Sequence, residues 1–187
     1  MKTLHVIDVE NIFGGPFQGE ALYNNCKELY QQIINIDTED EVLIASNPEL
    51  FMNLLHSWAY DSETDEWIGD FSTSDLFNHN SEISFGDTLS IFSRPGKDGA
   101  DRILRERALT KLEKYDRIIV ASGDHYFLAL CNKVLELRKK LVIISTQHGF
   151  STALRTIPCE KITFEITSRE NKEKFSFKWK SKIGAMT

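Results

Sequence analysis

Arg117-Ile118-Ile119-Val120-Ala121-Ser122-Gly123-Asp124 is the stretch that decides the fold. Four apolar residues in a row, three of them β-branched, describe a strand buried on both faces. A strand with one wet face would alternate instead. The run breaks at Ser-Gly-Asp. Phe127 to Arg138 then places Leu128, Cys131, Val134 and Leu135 at helical spacing, and Leu141-Val142-Ile143-Ile144 is a second buried run. Strand, helix and strand in this order join two parallel strands by a crossover.

The same unit recurs outward in both directions. Upstream, a helix is expected over Ala100 to Lys114, with Ile103, Leu104, Ala108 and Leu112 on its apolar face. A strand covers Thr88 to Phe92, and another covers Val42 to Ala45. After the latter, Asn47 can cap a helix with Pro48 in its first position, running to about His56. Ala21 to Ile36 reads as a helix with Leu22, Cys26, Leu29 and Ile33 on one stripe. Leu4-His5-Val6-Ile7 is a buried strand ending at Asp8, and Asn11 to Pro16 reads as a loop. Downstream come a short helix at Ser151 to Thr156 and a strand at Ile162 to Phe164. Lys174 to Lys180, which alternates aromatic with mostly basic residues, reads as an edge strand.

The whole predicts a three-layer α/β/α sandwich with a mostly parallel central sheet, Rossmann-like, over residues 1–168. A basic-aromatic strand and tail follow over 169–187. Residues 59–82 are acidic and irregular, an insertion that forms an excursion with one hairpin or part of a lid.

The 187 residues, 41% of them hydrophobic and 27% charged, suit one folded domain and exclude a disordered or fibrous chain. No apolar run is long enough to span a membrane. The N-terminus reaches Asp8 too soon for a signal peptide. Three scattered cysteines make no disulfide framework or zinc site. These points give a cytoplasmic expectation.

Net charge is −6, yet its distribution is lopsided. Residues 28–93 hold 14 Asp and Glu with no Lys or Arg, whereas residues 94–187 hold 20 Lys and Arg against 11 acids. Such asymmetry hints at a polyanion-binding surface. Two faces that neutralise each other explain it as well. The acidic part also offers a surface to a protein partner, and a homodimer stays open.

In open α/β sheets, sites form beyond the carboxyl ends of the strands. Asp8, followed by Glu10 and Asn11, ends the first strand. Asp98 and Asp101 open the helix after Phe92, and Asp124 ends the strand from Arg117. Each alone reads as a helix cap or turn residue. Together they gather carboxylates at one edge, where a hard divalent cation relieves their repulsion.

These elements resemble the NYN-domain branch of the PIN-like nucleases. Val6-Ile7-Asp8-Val9-Glu10-Asn11 is similar to the family's opening strand, and Gly96-Lys97-Asp98-Gly99-Ala100-Asp101 to its Lys-Gly-x-Asp element. Ser122-Gly123-Asp124-His125-Tyr126-Phe127 resembles its Ser-Gly-Asp-x-Asp-Phe element. Ser151 to Arg155 and the strand after it resemble its closing helix and strand. The match spans roughly residues 3–166, in the family's order. It implies a PIN-like fold and a metal-dependent endoribonuclease using Mg²⁺ or Mn²⁺. Asp8, Asp101 and Asp124 would hold the metal, Asn11 would orient water or a carboxylate, and Ser122 would support the site. Two positions depart from the pattern: Tyr126 and Arg107 stand where relatives carry Asp. Glu10, Asp98 or Glu106 would have to compensate. Otherwise the chain is a catalytically degenerate module that binds RNA or protein.

Around the acids lie Arg94, Lys97, Arg102, Arg105 and Arg107. The first three suit phosphate contacts, which give affinity without sequence preference. For Arg105 and Arg107 a solvated helix face is the simpler reading. His125, with Ser122 close by, completes the nucleic-acid-binding set, since His125 or Tyr126 can stack on a base. The other histidines show no ligand spacing. A small phosphatase with Asp8 as nucleophile ranks lower, because residue 10 is Glu where Asp-x-Asp is needed.

Overall fold

A computed structural model describes residues 1–13, 26–69, 82–166 and, for the backbone, 177–183. Eight strands form one sheet in the order β10-β9-β8-β7-β1-β2-β6-β5. They are β1 (Thr3–Asp8), β2 (Glu41–Ser46), β5 (Glu82–Phe85), β6 (Leu89–Ser93), β7 (Arg117–Ala121), β8 (Lys140–Thr146), β9 (Glu160–Ile166) and β10 (Phe177–Ile183). The six inner strands run parallel, and the two outermost, β5 and β10, run antiparallel to their neighbours. In register, Val6 faces Leu43 on one side and Val120 on the other.

The side-chain period of two divides the core between the sheet's faces. Ile7, Ile44, Ile91, Ile119 and Ile144 meet α1 (Val9–Phe13), α2 (Cys26–Ile33) and α3 (Phe51–Ala59). Val6, Leu43, Phe92, Val120 and Ile143 meet α4 (Gly99–Lys111), α5 (Leu128–Glu136) and α6 (Thr152–Arg155). Helices therefore cover both faces, as a three-layer sandwich requires. Each fully buried Ile, Leu or Phe contributes about 1.5–3 kcal/mol, and with both faces covered β1 and β7 have no wet side.

From β1 the sheet grows one way through β2 and β6. After α4 it grows the other way through β7, β8 and β9. The reversal falls between β1 and β7 and opens a crevice beyond their carboxyl ends.

Several sequence expectations need correction. Asn11 to Phe13 is helical, not loop: the Asp8 side chain accepts the Asn11 N–H, and Val9, Ile12 and Phe13 form a buried face. The other residues of that expected loop, 14–16, lie outside the described residues, as do the first residues expected in the helix from Ala21. That helix is described from Cys26 and ends at Ile33. The irregular stretch holds the expected hairpin, β3 (Tyr60–Asp61) with β4 (Glu66–Trp67). At its end, Glu82 opens β5, a strand the sequence reading lacked. β5 turns into β6 at Gly86, whose φ of 57° suits glycine. Residues 70–81 lie outside the described residues. Asn47 caps as expected, accepting the Leu50 N–H at 3.2 Å, but what it caps first is a 3₁₀ turn, Pro48–Leu50. The C-terminal edge strand is present as β10. Lys174 to Ser176 of that expectation lie outside the described residues.

Candidate functional site

The crevice between β1 and β7 is built from four short segments. Asp8 closes β1, with only 5% of its surface exposed. One of its oxygens accepts the Ser122 hydroxyl at 2.7 Å and the other the Asn11 N–H at 3.2 Å. The same Ser122 oxygen accepts the Asp124 N–H at 3.1 Å. The Asn11 side-chain oxygen crosses the crevice and accepts the Gly123 N–H at 2.7 Å. Asp8, Asn11, Ser122 and Asp124 are thus tied into one hydrogen-bonded unit.

Gly123 is required by contact. A Cβ there would lie 2.1 Å from the Gly149 carbonyl oxygen and 2.2 Å from the Ser145 hydroxyl. The turn after β8 therefore seats directly on the turn after β7, and the Ser151 N–H donates to the Gly123 carbonyl at 2.8 Å.

Asp124 is a cap as well as an acid. One of its oxygens accepts the Tyr126 N–H at 2.9 Å and lies 2.9 Å from His125 Nδ1. It caps the 3₁₀ turn His125–Phe127 that leads into α5. Asp101 sits in the first turn of α4, half-buried. Asp98 enters that helix with a φ of 56° and makes no side-chain cap. Gly99 then passes so close to the Arg94 carbonyl that a Cβ would lie 2.4 Å from its oxygen.

The acids repel one another across this crevice. Burial, then the Asp101 carboxylate, push the Asp8 carboxyl up to about 8, although the Ser122 and Asn11 hydrogen bonds pull it down. Burial, then Asp124, Asp98 and Glu10, push Asp101 up to about 6. Carboxylates from β1, α4 and the β7–α5 turn thus share one electrostatic environment.

The basic residues divide into two sets. Arg94 pairs with Glu106 at 3.0 Å, and Arg107 hydrogen-bonds Glu82. Glu106 is thereby engaged away from the acids it was expected to reinforce. Glu10 is partly engaged too, accepting the Asn47 N–H at 2.8 Å. Lys97 and Arg102, at the start of α4, are exposed, as is His125. Arg105 lies over the Tyr126 ring, 4.4 Å from its centroid, so Tyr126 is held by a cation–π contact.

The donor set is all oxygen and anionic, the chemistry that suits Mg²⁺ or Mn²⁺. Among the described residues, however, no three His, Cys, Asp or Glu side chains stand close enough together to hold a metal ion. Asp124 is turned to its cap and Asp8 to Ser122. Mutual repulsion favours such a spread arrangement.

Sequence reasoning found the acids but missed the struts. The Asn11–Gly123 and Glu10–Asn47 bonds join residues far apart in the chain. The glycines at 123 and 149 were the only local sign of a close approach.

Comparison of the chain with protein-family models, with curated proteins and with solved structures found no match. No helix among the described residues is long and apolar enough to cross a membrane.

Proposed function

We propose that the chain is an NYN-type, PIN-like endoribonuclease that hydrolyses RNA phosphodiester bonds with Mg²⁺ or Mn²⁺ held by Asp8, Asp101 and Asp124. The observation that carries this reading is that carboxylates from three chain segments lie at one edge of the sheet within reach of one another's charge, with Asp8 pushed up to about 8 and Asp101 to about 6. A fold gains nothing from such repulsion, whereas a cation site needs it. The order of the acidic elements in the sequence supports the family.

When bound, the cation would lower the pKa of a water and offset charge developing on the phosphate. The chain's own residues supply the rest. Ser122 and the Asn11 N–H fix the Asp8 rotamer. The Asn11 side-chain oxygen is committed to Gly123, which leaves its amide N–H groups to orient water or a phosphate oxygen. Lys97 and Arg102 hold flanking phosphates, and His125 stacks on or hydrogen-bonds the strand. Arg94, neutralised by Glu106, has no phosphate contact in this reading. We place the protein in the cytoplasm, where its three buried free thiols stay reduced.

The test is cleavage of mixed RNA in Mn²⁺ or Mg²⁺ by wild type and by Asp124→Asn. Metal-dependent cleavage lost in a folded variant supports the proposal; no cleavage by wild type in either metal contradicts it. A second reading, a degenerate RNA- or protein-binding module, is favoured by the Tyr126–Arg105 contact and the spread of the acids. It requires binding that is equal in EDTA and in metal, with no turnover.

A further inference from the structure

We propose that the outer face of α3 and the β3–β4 hairpin docks a cationic segment of another protein, one that sets an aliphatic or aromatic side chain beside Lys or Arg. This surface is separate from the crevice and does not depend on the nuclease reading.

Among the described residues the exposed large apolar side chains are Met1, Met52, Trp67, Ile68 and Leu109. Three of these five fall within 52–68. Met52 and His56 are four residues apart on α3 and share its outer face. His56 stacks on Tyr60 at 4.6 Å between centroids, and Tyr60 meets Trp67 edge-on at 5.1 Å. His56 and Trp67 are 6.1 Å apart. Met52, His56, Tyr60 and Trp67 thus form one continuous strip, and Trp67 is still 37% exposed.

A cross-strand aromatic pair explains how so short a hairpin holds together. It does not explain the rim. Asp61, Glu63, Asp65 and Glu66 on the hairpin are exposed, and Glu49 stands one turn before Met52. No Lys or Arg occurs in residues 28–93. Lys27 acts on Asp61, and the rim remains strongly acidic; an apolar strip inside such a rim is complementary to a basic amphipathic segment. The same rim repels nucleic acid, so the strip is not an RNA stacking platform.

The test uses a phage-displayed library of random peptides about a dozen residues long, panned on the full chain and counter-selected on Trp67→Ser. Recovered peptides are expected to combine excess Lys and Arg with Leu, Met or aromatic residues. As synthetic peptides they should bind wild type about tenfold or more tightly than they bind Trp67→Ser or Met52→Ser. Glu63→Lys and added salt should weaken binding as well. Met52→Ser and Glu63→Lys leave the hairpin's ring contacts intact, so the result stands even if Trp67→Ser disturbs the hairpin. Failure to recover any peptide, acidic or neutral peptides, or equal binding to all variants would overturn the proposal. So would a dimer in sedimentation that Met52→Ser splits, which would assign the face to a second copy. Binding of a single-stranded oligonucleotide lost in Met52→Ser would also overturn it.

Discussion

The two ends of the sheet treat buried acids in opposite ways. At the amino end, Asp40 accepts the Thr3 N–H at 2.8 Å, the Asp37 N–H at 3.0 Å and His5 Nε2 at 3.2 Å. The His5 ring in turn meets the Tyr30 hydroxyl at 3.0 Å. Beside it, Glu41 takes a hydrogen bond from Lys111 at 2.5 Å and another from the Tyr115 hydroxyl. Burial alone would push Asp40 up, but its hydrogen bonds outweigh burial and hold it below the usual carboxylate value. At the carboxyl end, Asp8 is as little exposed as Asp40 but lies deeper in the protein, and burial and then the Asp101 carboxylate push it up to about 8. The two acids thus differ in depth and in neighbours. Donors outweigh burial at Asp40, whereas at Asp8 two donors are outweighed by deeper burial and by neighbouring acids.

The largest effect expected from this contrast is on catalysis. Asp101→Asn should lower metal-dependent RNA cleavage by about a hundredfold or more, the order found when a group that stabilises transition-state charge is removed. Its melting temperature should not fall. A variant that cleaves normally would place the chemistry elsewhere.

Next is the amino end. Asp40→Ala strands the Thr3 and Asp37 N–H groups and the His5 ring, and should cost about 3 kcal/mol in denaturant unfolding. The reverse sign is expected from Asp8→Asn, which keeps an oxygen for Ser122, gives up the acceptor of the Asn11 N–H and sheds the repulsion, the largest of the three effects. In metal-free buffer it should gain roughly 1–2 kcal/mol, as relief of a strained functional site commonly does.

The two ends also differ in pH dependence. The folded Asp40 carboxyl is depressed and His5 is held below its usual value by burial. Their stability is present at neutral pH and is lost as pH falls, first as the unfolded histidine protonates and then through the carboxylate range. The folded Asp8 carboxyl is raised, so its share is full in acid and falls between about pH 4 and about 8. The advantage of Asp8→Asn over wild type should grow across that window in thermal melts. A constant advantage would mean that repulsion is not its cause. The smallest effect is expected at Tyr126. Arg105→Ala removes a cation–π contact worth about 0.5–1 kcal/mol and should leave cleavage nearly unchanged.

Much of this was legible in the sequence because it rests on local patterns. Unbroken apolar runs gave the strands of the parallel sheet. Position at a strand end singled out Asp8 and Asp124 as candidates, and position at a helix start Asp101. What was not legible depends on distant pairing. β5 is only four residues long and is recognisable chiefly by its partner β6. The first turn of α1 looked like loop because Gly14, Gly15 and Pro16 dominate the local reading, yet Asp8 caps it. Nothing in the sequence shows that Arg94 and Glu106 neutralise each other, or that donors hold Asp40 down while burial and neighbouring acids raise Asp8.

The most direct test compares thermal melting of wild type, Asp101→Asn and Asp40→Asn with and without Mn²⁺ at pH 7.5. The account predicts that Mn²⁺ raises the melting temperature of wild type and of Asp40→Asn, by about 2.7 kcal/mol of added stability at a hundred times Kd, and does not raise that of Asp101→Asn. No rise in wild type, or an equal rise in Asp101→Asn, would contradict it.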